Sequence, residues 1–385
     1  MLRGIFSENV YFKMIIQPFE AVFPNLEVIS DTQAFFNTAK EKYRFFQEQA
    51  FFQAAKQPAF YVYQINRNEM THCGLIASVS VAEYINEHIK KHEHTLVPKE
   101  EKQAILLEER QAVVKPILLV HRSQRTLAEM MQHICIKNSP AFELKIPATK
   151  TAHRFWTINQ ASDIFTIQNI FKNHINTAYI ADGHHRFSSI ARLYQRAKTV
   201  QQKQKYGHVM CALFPGSDLQ IHNFNRIIKA FSEKISPLVF LARLSEFAKI
   251  NPLKKGRIPK KEHEITFFMN GEWFSLEWRK EIISAYANAS LPILDVSMLN
   301  YCVLEEILLC TDIRNDTRIK YIEGPRGLDA LAASTNGRSS VAFCLHPLDW
   351  ESFFRVIDHG LVLPPKSTWF EPRMLNGLIV QTMTK

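Results

Sequence analysis

Paired cysteines, long apolar runs and glycine-rich loops are missing from this 385-residue chain, and each absence removes a class of function. The six cysteines (Cys73, Cys135, Cys211, Cys302, Cys310 and Cys344) include no C-x-x-C pair and no histidine at zinc-finger spacing. The cysteines therefore suggest a reducing compartment rather than a disulfide framework or a structural zinc ribbon. No run approaches the ~18 apolar residues of a membrane span, and the N-terminus shows no basic region followed by a long apolar core and a cleavage site. A cytoplasmic location without membrane contact is expected. Glycine is scarce, with 12 residues, and G-x-G-x-x-G, G-x-S-x-G and H-E-x-x-H do not occur. This excludes the usual dinucleotide fingerprint, nucleophile elbow and zincin helix.

What is present is enough for a sizeable core: 46% of the residues are apolar, and the length suits two domains or one elaborated one. The formal net charge is +10, but lysine and arginine are spread along the chain rather than gathered in a basic block. Such a balance suits phosphorylated small molecules as well as a polyanion, so nucleic acid is not the expected partner. Oligomeric state leaves no trace in the sequence.

The pattern of elements predicts an α+β fold, with mixed sheets and surrounding helices. Residues 1–13 read as an extension, because Met14 is an alternative start and a compact apolar pattern follows at once. A helix is expected from Asp31 to about Ala55, then a hairpin of Phe60–Ile65 and Gly74–Ser80. Further helices are expected over Pro98–Gln111 and Thr126–Asn138, and strands over Lys115–Val120 and His208–Phe214. Gln201–Lys205 reads as a polar connection and about Ala230–Ile250 as helix. Asn251–His263, rich in lysine, is the best linker by composition, dividing a region 14–250 from a C-terminal region 264–385. Asn270-Gly271 predicts a second hairpin. Asp295 is placed to N-cap a helix reaching Leu309.

The chemistry gathers at Tyr179-Ile180-Ala181-Asp182-Gly183-His184-His185-Arg186, where an apolar strand meets a helical pattern continuing through Phe187, Ile190 and Leu193. The start of a helix offers unpaired N–H groups and the positive end of its dipole, which favour an anion. Gly183 lets backbone approach a ligand, Arg186 can fork onto phosphate, and Asp182 can bind a metal or accept a hydroxyl proton. The plain structural alternative is an N-cap aspartate with exposed histidines. Adjacent histidines on a helix cannot both point inward, so one is expected toward a ligand and one toward the core. His92-Glu93-His94-Thr95 is a second polar cluster, with no third metal ligand at a diagnostic spacing. Lys366-Ser367-Thr368 resembles the end of a Walker loop but lacks its glycines. Asn225-Arg226 reads either as a ligand contact or as a polar pair at a strand end.

Several blocks together resemble the DUF1015 family: Pro18-Phe19-Glu20-Ala21, Pro58 to Tyr63, Ile89 to Thr95, Tyr179 to Arg186, Asn225-Arg226, Leu294 to Ser297, Asp312 to Ile319 and Pro364 to Arg373. They occur in family order over nearly the whole chain after Met14. Residues 35–57 depart from the family, whose members carry a longer segment before the Pro-Ala-x-Tyr-Val-Tyr strand. The D-G-H-H-R turn also resembles the G-x-x-R box of the ParB/sulfiredoxin-like superfamily, whose nucleotide-binding members include free L-serine kinases. That resemblance implies a nucleotide-binding module of that kind and a kinase moving phosphate from ATP or ADP, with Mg2+, to a small hydroxyl compound, free L-serine first. Asp182, His184 and Glu20 would then be catalytic, with Asp182 also holding the metal. Gly183, His185, Arg186, Asn225, Arg226, Lys366, Ser367 and Thr368 would hold the nucleotide, and His92, Glu93, Thr95 and Arg373 the substrate. The rival reading is a non-catalytic nucleotide-binding regulatory protein, or a nucleic-acid-associated one.

Overall fold

The computed structural model describes residues 14–231, 235–287, 291–335 and 339–383, so the expected 1–13 extension lies outside the described residues. The chain forms two compact units, the first reaching Gln220 and resuming at Pro372, the second running from Ile221 to Glu371.

In chain order the strands of the first unit are β1 (Ile16–Gln17), β2 (Ala21–Pro24), β3 (Phe52–Ala54), β4 (Phe60–Arg67), β5 (Met70–Ser80), β6 (Ile89–Lys90), β7 (Ala112–Val113), β8 (Ile117–His121), β9 (Phe142–Ile146), β10 (Thr151–Ile158), β11 (Ala178–Asp182) and β12 (His208–Pro215). A mixed sheet runs β6-β11-β8-β12-β5-β4-β10-β9, with β1 on β5. β8 is buried along its whole length between β11 and its parallel neighbour β12, which is why it reads as an unbroken apolar run. β4 and β5 form the expected hairpin, turned by Asn68 and Glu69 at φ 48° and 67°. The helices are α1 (Thr32–Thr38), α2 (Tyr43–Glu48), α3 (Val81–Ile85), α4 (Val97–Arg110), α5 (Arg125–Lys137), α6 (Ala161–His174), α7 (His184–Arg196) and α8 (Val200–Tyr206).

The second unit is built on a fully antiparallel sheet. Its strands are β13 (Gln220–His222), β14 (Phe224–Ile228), β15 (Ala248–Leu253), β16 (Glu264–Met269), β17 (Glu272–Trp278), β18 (Ile319–Glu323), β19 (Val341–Leu345) and β20 (Trp369–Glu371). The sheet order is β15-β17-β16-β19-β14-β18, while β13 pairs with β20. Asn270 and Gly271 make the expected turn at φ 53° and 88°. The helices are α9 (Pro237–Phe247), α10 (Lys280–Tyr286), α11 (Asp295–Met298), α12 (Gly327–Ala333) and α13 (Trp350–Asp358). Back in the first unit, β21 (Val380–Thr382) completes a small sheet ordered β3-β2-β21-β7. The fold is α+β, as expected. Among the described residues no helix is long and apolar enough to cross a membrane.

Several local expectations need correction. The single helix over 31–55 is instead α1, α2 and β3. Phe35 packs on Phe46 with ring centroids 4.8 Å apart, and Ala50 at φ 55° turns the chain back into β3, so aromatic packing overrides helix propensity. Gln201–Lys205 belongs to α8, started by a capping box between Thr199 and Gln202. The helix expected to reach Ile250 stops at Phe247, and β15 pairs with β17. The linker expected at 251–263 lies inside the second unit and begins within β15; its lysines mark a solvated connection rather than a boundary. Asp295 is the first residue of its helix, with Leu294 at the cap, and its carboxylate accepts the His263 N–H at 3.2 Å.

Candidate functional site

The strand, turn and helix read from the D-G-H-H-R stretch are all present. β11 ends at Asp182, Gly183 stands at φ 105°, and α7 begins at His184 with no side chain capping its first N–H groups. Left-handed backbone here suits only glycine at low cost. A Cβ at 183 would lie 2.8 Å from the Arg186 guanidinium, which folds back over this residue. A register shift between Ile180 and Asp182 in the pairing with β8 re-aims the strand end.

Asp182 is held by three cations. Its Oδ2 accepts from Arg186 Nη2 at 2.7 Å and lies 3.3 Å from Lys115 Nζ, and its Oδ1 accepts from Arg373 Nη1 at 3.0 Å. Arg186 also donates to the carbonyls of Lys115 and Pro116, both at 2.8 Å, fastening α7 to the segment leading into β8. Burial acts to raise the Asp182 carboxyl, but the charges of Arg186, Lys115 and Arg373 outweigh it and hold it well below the usual carboxylate range. A carboxylate held this way is a weak base. With both oxygens engaged by cations it is also a poor Mg2+ ligand, so the donor set as it stands does not fit the metal role expected for Asp182.

Next to this cluster the pairing of β6 with β11 carries His92 to the mouth of α7. His92 Nδ1 donates to the Ile180 carbonyl at 2.7 Å, and its backbone N–H points at His184 Nε2 at 3.4 Å. The two rings meet edge to face at 4.4 Å. His184 Nδ1 lies 3.3 Å from Glu93 Oε1. Burial lowers His92 to about 4, and the same cause, with the neighbouring His92, holds His184 well below its ordinary value. Both imidazoles are therefore neutral near pH 7. The ligand atoms of His92, Glu93 and His184 lie within 4.8 Å of one another.

The expected division between the adjacent histidines takes a definite form. His184 is buried, while His185 is half-buried and accepts the Leu96 N–H at 3.3 Å. Thr95, expected at substrate, donates to Glu100 of α4, which also accepts from Ser188 and Arg192 of α7. Glu100, Arg192 and Lys115 carry no signal in the sequence; their roles depend on how α4, α7 and β8 meet in space, and Ser188, which the sequence offers only as a nucleophile without a base beside it, is a donor to Glu100. Glu20 stands exposed just before β2, where its charge acts on Tyr61.

Asn225, Arg226, Lys366, Ser367 and Thr368 belong to the second unit, where Arg226 and Lys366 tie β14 to the 364–368 segment. Arg226 is fully buried and donates to the carbonyls of Phe224 and Pro365, both at 3.4 Å, with its guanidinium 5.4 Å from the Tyr321 ring centroid. Asn225 Oδ1 accepts from Asn223 Nδ2 at 2.6 Å, and Ser367 donates to the Pro364 carbonyl at 2.6 Å. Lys366, at φ 55°, places Nζ 4.9 Å from the Phe224 ring centroid.

A family model described as "Protein of unknown function (DUF1015)" matches residues 22–297. No curated protein matches the chain. Among solved structures, C-terminally truncated SbnI from Staphylococcus aureus is 13% identical at a TM-score of 0.40, covering 78% of this chain and 85% of that one. A free serine kinase in complex with AMP is 15% identical at 0.35, covering 77% and 87%. A conserved hypothetical protein from Pyrococcus furiosus is 14% identical at 0.36, covering 79% and 92%. These TM-scores are too low to establish a common fold.

Proposed function

The chain belongs to the DUF1015 family, and we propose that it is a nucleotide-binding phosphotransferase whose phosphate site is the turn between β11 and α7. One observation carries this reading: three cations, Lys115, Arg186 and Arg373, surround a single carboxylate at the uncapped start of a 13-residue helix. Around Asp182 the positive charge exceeds the negative by two, and the helix dipole adds to it. Phosphoryl transfer asks mainly for positioning and charge neutralisation, which this arrangement can supply. Arg373 and Lys115 would exchange part of their contact with Asp182 for phosphate oxygens, while Arg186 stays fixed by its two carbonyls. The proposed donor is ATP or ADP. The proposed acceptor, free L-serine, rests on the likeness of the D-G-H-H-R turn to the ParB/sulfiredoxin-like box, and the same likeness proposes Glu20 as the group that takes the hydroxyl proton. Localisation in the cytoplasm and a ParB-like module belong to the same reading.

The test is direct. Purified protein with Mg2+, ATP or ADP and L-serine is followed by phosphorus NMR for O-phosphoserine, alongside calorimetric titration of the nucleotide. Product that disappears in Arg373→Ala, with nucleotide affinity reduced, supports the reading. Binding without turnover would identify a nucleotide-responsive regulator, and absence of binding removes both.

A further inference from the structure

We propose that His92, Glu93 and His184 form a site for a divalent transition-metal ion of the Zn2+, Fe2+ or Mn2+ class. In the sequence His92-Glu93 has no third ligand at a metal-site spacing; the fold provides one, 92 positions further along the chain, by pairing β6 with β11. Two imidazoles and one carboxylate, with positions left open, are a donor set typical of catalytic transition-metal sites.

The geometry is close to what an ion requires. All three ligand atoms lie within 4.8 Å of one another. The 3.3 Å between His184 Nδ1 and Glu93 Oε1 equals the ligand-to-ligand edge of a tetrahedron whose metal bonds are about 2.0–2.1 Å. His92 gives its Nδ1 proton to the Ile180 carbonyl at 2.7 Å, which places the lone pair on Nε2 and fixes the ring as an outer-shell carbonyl does in metal proteins. His184 stands at the first position of α7 and His92 in the bend two residues after β6, and both are buried. Glu93 is 42% exposed, so an ion has an entry path and room for water or substrate opposite the imidazoles. Ligation through His184 Nδ1 puts the proton on Nε2 and gives up the contact from the His92 N–H. With Nε2 protonated, two N–H groups face each other across 3.4 Å, so the His184 ring must turn slightly as the ion binds. Mg2+ prefers oxygen ligands and is not the ion expected here.

The site adjoins the proposed phosphate site at the start of α7 but does not rest on the phosphotransferase reading, and its test needs no nucleotide. The full chain is freed of metal with a chelator and titrated with Co2+ and Zn2+ in the absence of nucleotide. One equivalent should bind, with weak visible cobalt bands and no intense near-ultraviolet thiolate band, which separates this site from the six cysteines. Glu93→Gln, at a half-exposed side chain, should leave the circular dichroism unchanged and weaken binding on the order of 10-fold or more. His92→Gln should abolish it, and excess Mg2+ should not compete. No binding, binding with only a thiolate spectrum, or equal affinity in Glu93→Gln would overturn the proposal.

Discussion

Arg373 reaches Asp182 across 191 positions of sequence, Nη1 to Oδ1 at 3.0 Å, and so places a third cation on a carboxylate that Arg186 and Lys115 already hold. Asp182 thus acts as an internal anion, keeping three positive side chains in place until another anion competes for them. Asp182→Asn should therefore lower stability by about 1–3 kcal/mol in urea unfolding, below the full cost for a buried pair because the side chain keeps 27% exposure. The same change should tighten the binding of inorganic phosphate, measured by calorimetry at fixed ionic strength. Weaker phosphate binding in this variant would show that the carboxylate helps hold the anion rather than standing in for it.

Gly183→Ala forces an L side chain into φ 105° and against the Arg186 guanidinium 2.8 Å away. A loss of about 1–2 kcal/mol is expected. Any nucleotide affinity should fall with it, whereas Gly271→Ala, in a turn with open space around it, should leave nucleotide binding unchanged.

Three histidines, His92, His121 and His153, are lowered by burial from the ordinary 6.5 to about 4. For each the unfolded chain binds the proton more readily than the folded one. Stability is therefore fully present above about pH 6.5 and is lost as pH falls toward 4, by at most about 1.4 kcal/mol per pH unit per histidine. Urea midpoints measured at about pH 7.5 and about pH 4.5 should differ accordingly. His153→Gln, which can still meet the Tyr63 hydroxyl now 2.8 Å from Nδ1, should flatten part of the slope. A midpoint that does not move between the two pH values would contradict this account of the buried rings.

Glu100 accepts from Thr95, Ser188 and Arg192, and its own backbone carbonyl accepts from Ser189 at 2.8 Å, so it fastens α4 to α7. Glu100→Gln keeps the shape but removes the charge facing Arg192. A loss of about 1–3 kcal/mol is expected, with hydrogen exchange rising first in α4 and α7. Uniform exchange throughout the first unit would argue against a local role.

Arg226 is fully buried, and among the described residues no carboxylate lies within ion-pair distance of it. Burial lowers it to about 10. An apolar replacement of similar length, Arg226→Met, should be neutral or stabilising in thermal unfolding. Unchanged ligand binding in that variant would assign the guanidinium to the core of the second unit alone.

What could be read in advance follows from which interactions are local. The turn at Gly183 was legible because strand, glycine and helix each leave a signature within a few residues. The contact between His92 and His184 was expected only through the family resemblance, since periodicity does not say that β6 will lie parallel to β11. Lys115 gave no signal at all, being one lysine before a buried strand. The 31–55 stretch misled because phenylalanine has no strong local preference and takes its conformation from partners such as Phe46 and Phe51. The linker at 251–263 misled because surface lysines look alike in a connection inside a domain and in one between domains. The start of α8 is written in the sequence itself, by Thr199 and Gln202 at capping-box spacing.

The return of the chain to its first unit at Pro372 also sets a clock. At about 5–20 residues per second, the 191 positions between Asp182 and Arg373 take roughly 10–40 s to synthesise. For that interval the nascent first unit has neither β21 nor its third cation, while the whole of the second unit is being made.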